Sequence, residues 1–195
     1  MRVTGGTFLG RTLKAPAGSS TRPTSDRVRE ALFNILSHHD WGEEVGNPLD
    51  GAIVLDAFGG TAALAIESLS RGAKKAFVFD KDRNALKAAF ANVESLGLGD
   101  TCIVKQADAL RPYPAPQPCS LIFIDPPYRK DLVVPSIQAI AKAGWIAKNA
   151  LLVIETSKGE TSAPLPEITL LYDRTYGDTS LYFARYQAEA IQSPQ

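Results

Sequence analysis

Five short apolar runs, each leading to an acidic residue and separated by stretches of helical period, constrain this sequence more than any other feature. Ile53-Val54-Leu55 ends at Asp56, Ala76-Phe77-Val78-Phe79 at Asp80, Leu121-Ile122-Phe123-Ile124 at Asp125 and Leu151-Leu152-Val153-Ile154 at Glu155, while Ile103-Val104 leads to Asp108. Short runs that are apolar without alternation read as strands buried on both faces. Between them, Ala62 to Arg71, Arg83 to Leu96 and Leu132 to Ala143 read as helices, the second with Leu86, Ala89, Phe90 and Val93 on one stripe. Such βα alternation predicts an α/β fold whose open parallel sheet is covered on both faces and binds ligands at the carboxyl ends of its strands, where the acids lie. The last two runs, Ile168 to Tyr172 and Leu181 to Tyr186, flank a Tyr176-Gly177-Asp178 turn too short for a crossover helix, so they are expected to pair antiparallel.

Ahead of this pattern, Arg2-Val3-Thr4 and Thr12-Leu13-Lys14 flank Gly5, Gly6 and Gly10, which reads as a hairpin-like extension. A loop from Pro16 to Thr24 leads into a helix with Ser25 as N-cap, Asp26 at the positive end of the dipole, and Val28, Ala31, Leu32, Ile35 and Leu36 as the buried stripe. Arg27, Arg29 and Asn34 fall off that stripe and are expected to meet solvent or substrate. A chain of 195 residues, 45% apolar, supports one core with a small extension. The expected organisation is a basic hairpin-and-helix extension over 1–48, a main domain over 49–188 and a frayed tail over 189–195.

The formal net charge of zero conceals an asymmetry. Arg2, Arg11, Lys14, Arg22, Arg27 and Arg29 stand against only Asp26 and Glu30 within the first 30 residues, a balance of +4. These six cations are the expected phosphate-binding set. No stretch approaches the roughly 18 to 20 apolar residues of a membrane span, and the first residues lack a signal-peptide core, so a soluble cytoplasmic protein is expected. Cys102 and Cys119 lie in apolar runs without CxxC spacing and read as buried, reduced thiols. His38 and His39 are adjacent, pointing about 100° apart on a helix, and no partner stands at ligand spacing, so no metal is assigned. Pro112, Pro114, Pro116 and Pro118 read as a stiff connector between strands.

The first βα turn, Asp56-Ala57-Phe58-Gly59-Gly60-Thr61-Ala62, brings glycine backbone and a helix N-terminus to a ligand. It lacks the G-x-G-x-x-G spacing of a dinucleotide pyrophosphate site. An acid at the strand end suits a cofactor with an amino-acid tail and a sulfonium, which favours S-adenosylmethionine over NAD. Asp80, ending the second strand twenty residues past Gly60, is placed to accept hydrogen bonds from ribose hydroxyls; the alternative is a helix cap within Asp80-Lys81-Asp82.

Asp125-Pro126-Pro127-Tyr128 is the sharpest signal. An aromatic amine is a poor nucleophile because its lone pair is delocalised into the ring. Acceptors for its two N–H groups can hold the nitrogen and direct that lone pair at a methyl carbon, and the Asp125 carboxylate with the Pro126 carbonyl supplies two. Both prolines have fixed φ, and Pro127 restricts Pro126 to extended conformations, so the carbonyl direction is preset. Tyr128 offers a flat face for an unstacked base, a contact worth roughly 1 to 3 kcal/mol in single-strand binders.

At these residues the chain resembles the Rossmann-like methyltransferases that act on amino groups, and more closely the bacterial 16S ribosomal RNA guanine-N2 methyltransferase family. The resemblance runs almost end to end: Arg2-Val3-Thr4-Gly5-Gly6 with Gly10-Arg11, the segment from Arg22 to Asn34, the Asp56 turn, Leu69-Ser70-Arg71-Gly72-Ala73, Asp125 to Tyr128, and Tyr176-Gly177-Asp178-Thr179. It implies a mostly parallel seven-stranded sheet with an antiparallel C-terminal pair. It also implies Asp56, Phe58 and Gly60, with Gly59 in the same turn, around the methionine end of S-adenosylmethionine, Asp80 at its ribose, Asp108 and Ala109 at its adenine, and Asp125 to Tyr128 at the target base. The implied partner of a monomeric enzyme is 16S ribosomal RNA, within the small subunit or an assembly intermediate.

One departure stands out. The family turn usually reads Phe-Ala-Gly-Ser-Gly, and its second glycine is Ala62 here, which is therefore left out of the contacts. Asp-Pro-Pro-Tyr also occurs in adenine methyltransferases acting on DNA, so adenine-N6 methylation is the second reading; an RNA-binding assembly factor with weakened catalysis, prompted by Ala62, is the third.

Overall fold

The strands predicted from the apolar runs assemble into one sheet in a computed structural model that describes residues 1–15, 26–42, 46–160 and 165–187. In chain order they are β1 (Ile53–Asp56), β2 (Lys75–Asp80), β3 (Cys102–Gln106), β4 (Cys119–Ile124), β5 (Ile146–Ser157), β6 (Ile168–Tyr176) and β7 (Thr179–Tyr186). The helices are α1 (Asp26–His38), α2 (Ala63–Ser70), α3 (Arg83–Ser95) and α4 (Val133–Lys142). The sheet order is β3-β2-β1-β4-β5-β7-β6. The first five are parallel neighbours, and β7 runs antiparallel between β5 and β6. The order in which successive strands are laid down reverses between β1 and β4, which opens a crevice at their carboxyl ends, the place where open α/β sheets bind ligands. β5 is longer than its apolar run, starting beyond the buried Trp145 and passing through Asn149 at φ +62°.

Alternation along the strands sorts the sheet into two faces. Val54, Ala76, Val78, Leu121, Phe123, Leu151, Val153, Leu181 and Phe183 share a core with α1, α2 and α3. Leu55, Phe77, Phe79, Ile122, Ile124, Leu152 and Ile154 form the other core with Val133, Ile137 and Ile140 of α4. Carrying the alternation to the strand ends puts Asp56, Asp80, Asp125 and Glu155 on the first face, the one that carries α1.

The N-terminal extension is a hairpin closed by an Arg2–Thr12 bridge around a short 3₁₀ turn, Gly6–Phe8. Val3 and Leu13 are buried in the same core as the sheet. The extension runs along α2: the Phe8 N–H donates to Ser70 Oγ at the carboxyl end of that helix (2.9 Å), and Lys14 is linked through Asn92 of α3 to Thr61 in the turn that begins it. The proline segment is stitched down, with the Trp145 indole donating to the Tyr113 carbonyl (2.7 Å) and the Ala115 N–H to Ala143 (2.8 Å).

Two expectations are corrected. The buried stripe of α1 is Arg29, Leu32, Phe33 and Leu36, rotated by about one residue from the predicted one. Phe33 takes its centre because its ring packs 5.9 Å from that of Phe123 in β4. On α3, Phe90 is 53% exposed, and the buried Asn92 takes the inward place instead. Ser25 and the residues after Gln187, read as a cap and a frayed tail, lie outside the described residues. Among the described residues no helix is long and apolar enough to cross a membrane.

Candidate functional site

The glycine turn is held from beneath by backbone bonds to its neighbours. Ala57 N–H donates to the Phe123 carbonyl (3.1 Å) and Gly59 N–H to Phe79 (2.7 Å), so the turn bridges β4 and β2. A methyl at Gly59 would overlap Val78 Cγ1 and stand 3.2 Å from Asp56 Cγ, which makes this glycine a packing requirement. Gly60 is different: its φ is +52°, and the nearest atom to an added Cβ is the Phe58 carbonyl oxygen at 4.0 Å. Its open side is the approach available to a ligand. Ala62, at φ +64° and fully buried, closes the turn with its N–H on Gly59 O (2.7 Å), and its methyl group points into the core. The position that departs from the family glycine thus keeps the left-handed backbone that glycine prefers.

Asp56 is 1% exposed, and neither of its carboxylate oxygens makes a hydrogen bond of ordinary geometry. Burial pushes its carboxyl up to about 7, with the Ala65 N–H pulling the other way and the Asp80 carboxylate adding to the rise. Buried unpartnered oxygens are costly, and a cationic or N–H-bearing ligand would satisfy them. Asp80 accepts the Gly60 N–H at Oδ2 (2.9 Å) and the Asp82 N–H at Oδ1 (2.8 Å). Asp82 caps α3 through Asn84 N–H (2.8 Å), so the capping role belongs to Asp82, and each Asp80 oxygen keeps a further lone pair. Asp108 accepts the Leu110 N–H (2.9 Å) in the turn after β3, and Ala109 is buried against the α4-side core.

Across the crevice, Asp125 and Pro126 follow β4 directly, Pro126 buried and Asp125 partly so. Tyr128 is 40% exposed, and its hydroxyl donates to Glu155 Oε1 at 2.8 Å. The tyrosine proton is thereby used, so the Thr179 hydroxyl, 3.2 Å away, donates to the phenol oxygen. Burial raises the phenol pKa above its ordinary value; Thr179 opposes the rise and the Glu155 carboxylate adds to it. Beyond Tyr128, Arg129 and Asp131 have φ of +58° and +49°, and Arg129 N–H donates to Glu160 Oε1 (3.1 Å), tying the loops after β4 and β5 together. An open cavity of about 450 Å³ lies between those loops, lined by Arg129, Asp131, Ser157, Lys158, Gly159 and Glu160.

Of the six cations expected to meet phosphate, Arg2, Arg11, Lys14 and Arg27 are exposed. The Arg11 guanidinium rests on the Ser95 carbonyl (3.4 Å), and Arg22 lies outside the described residues. Arg29 is a correction. It is fully buried, bonded to the Arg2 carbonyl and to Asp26 (2.9 Å), with Glu67 at 3.6 Å, because α1 turns it inward against α2. Sequence reasoning missed four residues: Glu155, Thr179, Glu67 and Asn92. Asn92 accepts the Lys14 N–H (2.7 Å) and donates to the carbonyls of Lys14 (3.1 Å) and Thr61 (3.0 Å), joining the extension to the glycine turn. Glu155 had a signal, an acid following an apolar run as the four aspartates do; a polar residue on a helix's inward face was the signal for Glu67 and Asn92. His39 packs between Trp41 and Tyr172 with its ring tilted against both, ring centroids 4.5 and 4.6 Å away, and among the described residues no cluster could hold a metal ion.

A sheet in this order, with a glycine turn after β1 and acids along one carboxyl edge, is the Rossmann-like methyltransferase fold. The chain belongs to the family described as Conserved hypothetical protein 95, whose model matches residues 1–185. It is 32% identical to the ribosomal RNA small subunit methyltransferase D of Escherichia coli strain K12 over 97% of this chain and 91% of that protein. It is also 32% identical to YlbH of Bacillus subtilis, over 93% of this chain and 96% of that one. The solved structure of yhhF from Escherichia coli superposes with a TM-score of 0.80 at 29% identity, covering 97% of this chain and 99% of that one.

Proposed function

We propose that this protein is an S-adenosylmethionine-dependent methyltransferase that modifies the exocyclic N2 of a guanine in 16S ribosomal RNA, acting as a cytoplasmic monomer on the small subunit or an assembly intermediate. The observation that carries the reading is the placement of Asp125-Pro126-Pro127-Tyr128 across the β1–β4 crevice from the Asp56 glycine turn, on one face of the sheet. The relative named ribosomal RNA small subunit methyltransferase D supports the RNA substrate. The acceptor set fits the cofactor: Asp56 has two buried oxygens without a hydrogen bond of ordinary geometry, Gly60 leaves its outer side open, and Asp80 keeps acceptor capacity for two hydroxyls. Bound there, S-adenosylmethionine supplies an electrophilic methyl carbon.

The chain's own part is orientation. Asp125 and the Pro126 carbonyl accept the two N–H groups of the amine, Asp125 takes up the proton that leaves once the nitrogen is methylated, and Tyr128 stacks on the base, which must be extruded to reach the crevice. No covalent enzyme intermediate is required. Arg2, Arg11, Lys14, Arg22 and Arg27 hold the RNA backbone. Methylation of small subunits that lack the mark tests the reading: wild type incorporates label and Asp125→Ala does not, and equal incorporation by both would defeat the mechanism. Digestion of the labelled RNA identifies the base.

A further inference from the structure

We propose that Glu155 is a positioning residue for the acceptor base, fixing the plane of the Tyr128 ring on which the base stacks; this rests on the methyltransferase reading above. Tyr128 sits in a loop, and 40% of it is exposed, so a ring held by its backbone alone would sample several orientations. Glu155 removes that freedom. It lies near the carboxyl end of β5 at 5% exposure, and the β4–β5 register, which pairs Ile124 with Ile154, puts it beside Asp125 on the same face. From there Oε1 receives the Tyr128 hydroxyl at 2.8 Å, a charge-assisted bond roughly twice as strong as a neutral one.

A second anchor comes from the antiparallel strand. Thr179 pairs with Ser157, two residues beyond Glu155, so its hydroxyl faces the same way and closes on the phenol oxygen at 3.2 Å. The ring tip is thus held from β5 and from β7. A carboxylate is an expensive choice after the apolar Leu151 to Ile154 unless its charge is used. Its use here is to preorganise a stacking surface, so that the ordering cost is met before the base arrives.

A double-mutant cycle on RNA methylation tests this, with thermal unfolding as the check on folding. Glu155→Ala and Tyr128→Phe should each lower kcat/KM for RNA by about ten-fold, the size of a partly lost base stack, chiefly through KM. Cofactor affinity should stay within about two-fold. The double variant should lose no more than either single one. Multiplicative losses, an unaffected Glu155→Ala, or an equal fall in cofactor affinity would overturn the assignment. If Glu155→Ala does not fold, Glu155→Gln serves: its neutral acceptor should cost several-fold with the tyrosine hydroxyl present and nothing in the Tyr128→Phe background, and any other pattern counts against the proposal. A wild type that labels no RNA would defeat the methyltransferase reading instead, and the cycle is then read on RNA affinity, where the same pattern is required.

Discussion

Arg29 and Glu67 face each other across the seam between α1 and α2, Nε to Oε2 3.6 Å, with side chains 1% and 0% exposed. Glu67 also accepts the Thr4 N–H (2.8 Å), the Thr4 hydroxyl (2.7 Å) and Arg71 Nε (2.8 Å). One carboxylate therefore joins the hairpin, α1 and α2. Removing it by Glu67→Ala leaves the Arg29 guanidinium buried without that countercharge and should cost about 3–5 kcal/mol. The exposed Arg27→Ala should stay within about 0.5 kcal/mol of wild type. Urea denaturation midpoints at equal m-values check both, and a loss below about 1 kcal/mol for Glu67→Ala would contradict the pairing.

Asp56 makes stability and cofactor affinity depend on pH in opposite senses. Its carboxyl titrates near 7 when folded and near 3.9 in an unfolded chain. Between those values the folded state binds the extra proton, so the contribution to stability is complete below about pH 4 and is lost as pH rises through about 7. Asp56→Asn should abolish that part of the pH dependence in chemical denaturation. A sulfonium cofactor prefers the ionised carboxylate, so calorimetry should find its affinity rising from about pH 6 to about pH 8 in wild type and flat in the variant.

The two glycines of the turn should respond differently to alanine. At Gly59 the new methyl collides with Val78, a fully buried side chain, and Gly59→Ala should cost about 1–3 kcal/mol. Val78→Ala also destabilises by itself, yet in the double variant the two changes share one space, so the combined loss should be less than the sum. At Gly60 the methyl meets only the Phe58 carbonyl oxygen at 4.0 Å, an ordinary contact, and the penalty comes from φ +52°, about 1–2 kcal/mol. Thermal unfolding of the four variants separates the two cases; an additive Gly59/Val78 pair would rule out the collision.

The exposed cations and the buried one should separate in RNA binding. Arg11→Ala, Lys14→Ala and Arg27→Ala should each weaken affinity and reduce the slope of log K against log salt by roughly 0.7 to 0.9 if each neutralises one phosphate. Arg29→Ala should lower stability and leave the slope of the folded protein unchanged. Filter binding over a salt series reads this directly.

The strand ends and the tetrapeptide were legible in the sequence because a parallel sheet buried on both faces writes continuous apolar runs, and acids interrupt them only at the crevice. What escaped was decided between elements. Arg29 falls at the start of a perfect inward stripe with Leu32, Phe33 and Leu36, but an arginine reads as solvent-facing until Glu67, 38 positions later, is known to oppose it. Phe90 reads as core for the converse reason: its period is right, and Asn92 displaces it only because Lys14 and Thr61 come within bonding distance. The start of β5 was hidden by Lys148-Asn149, a polar pair that enters a strand where the β4 register shifts between Cys119 and Leu121.

The sorting of side chains onto two faces makes the reaction centre a matter of odd and even. Asp125 shares its face with Asp56 and Glu155 because it stands two positions after Phe123 and four after Leu121, an even step from side chains that pack under α1. One residue inserted between Leu121 and Asp125 would keep every letter of Asp125-Pro126-Pro127-Tyr128 and turn the carboxylate toward α4; two would bring it back. Homologues that vary in length just ahead of the tetrapeptide can therefore be sorted by parity alone into chains that keep the chemistry and chains that keep only its spelling.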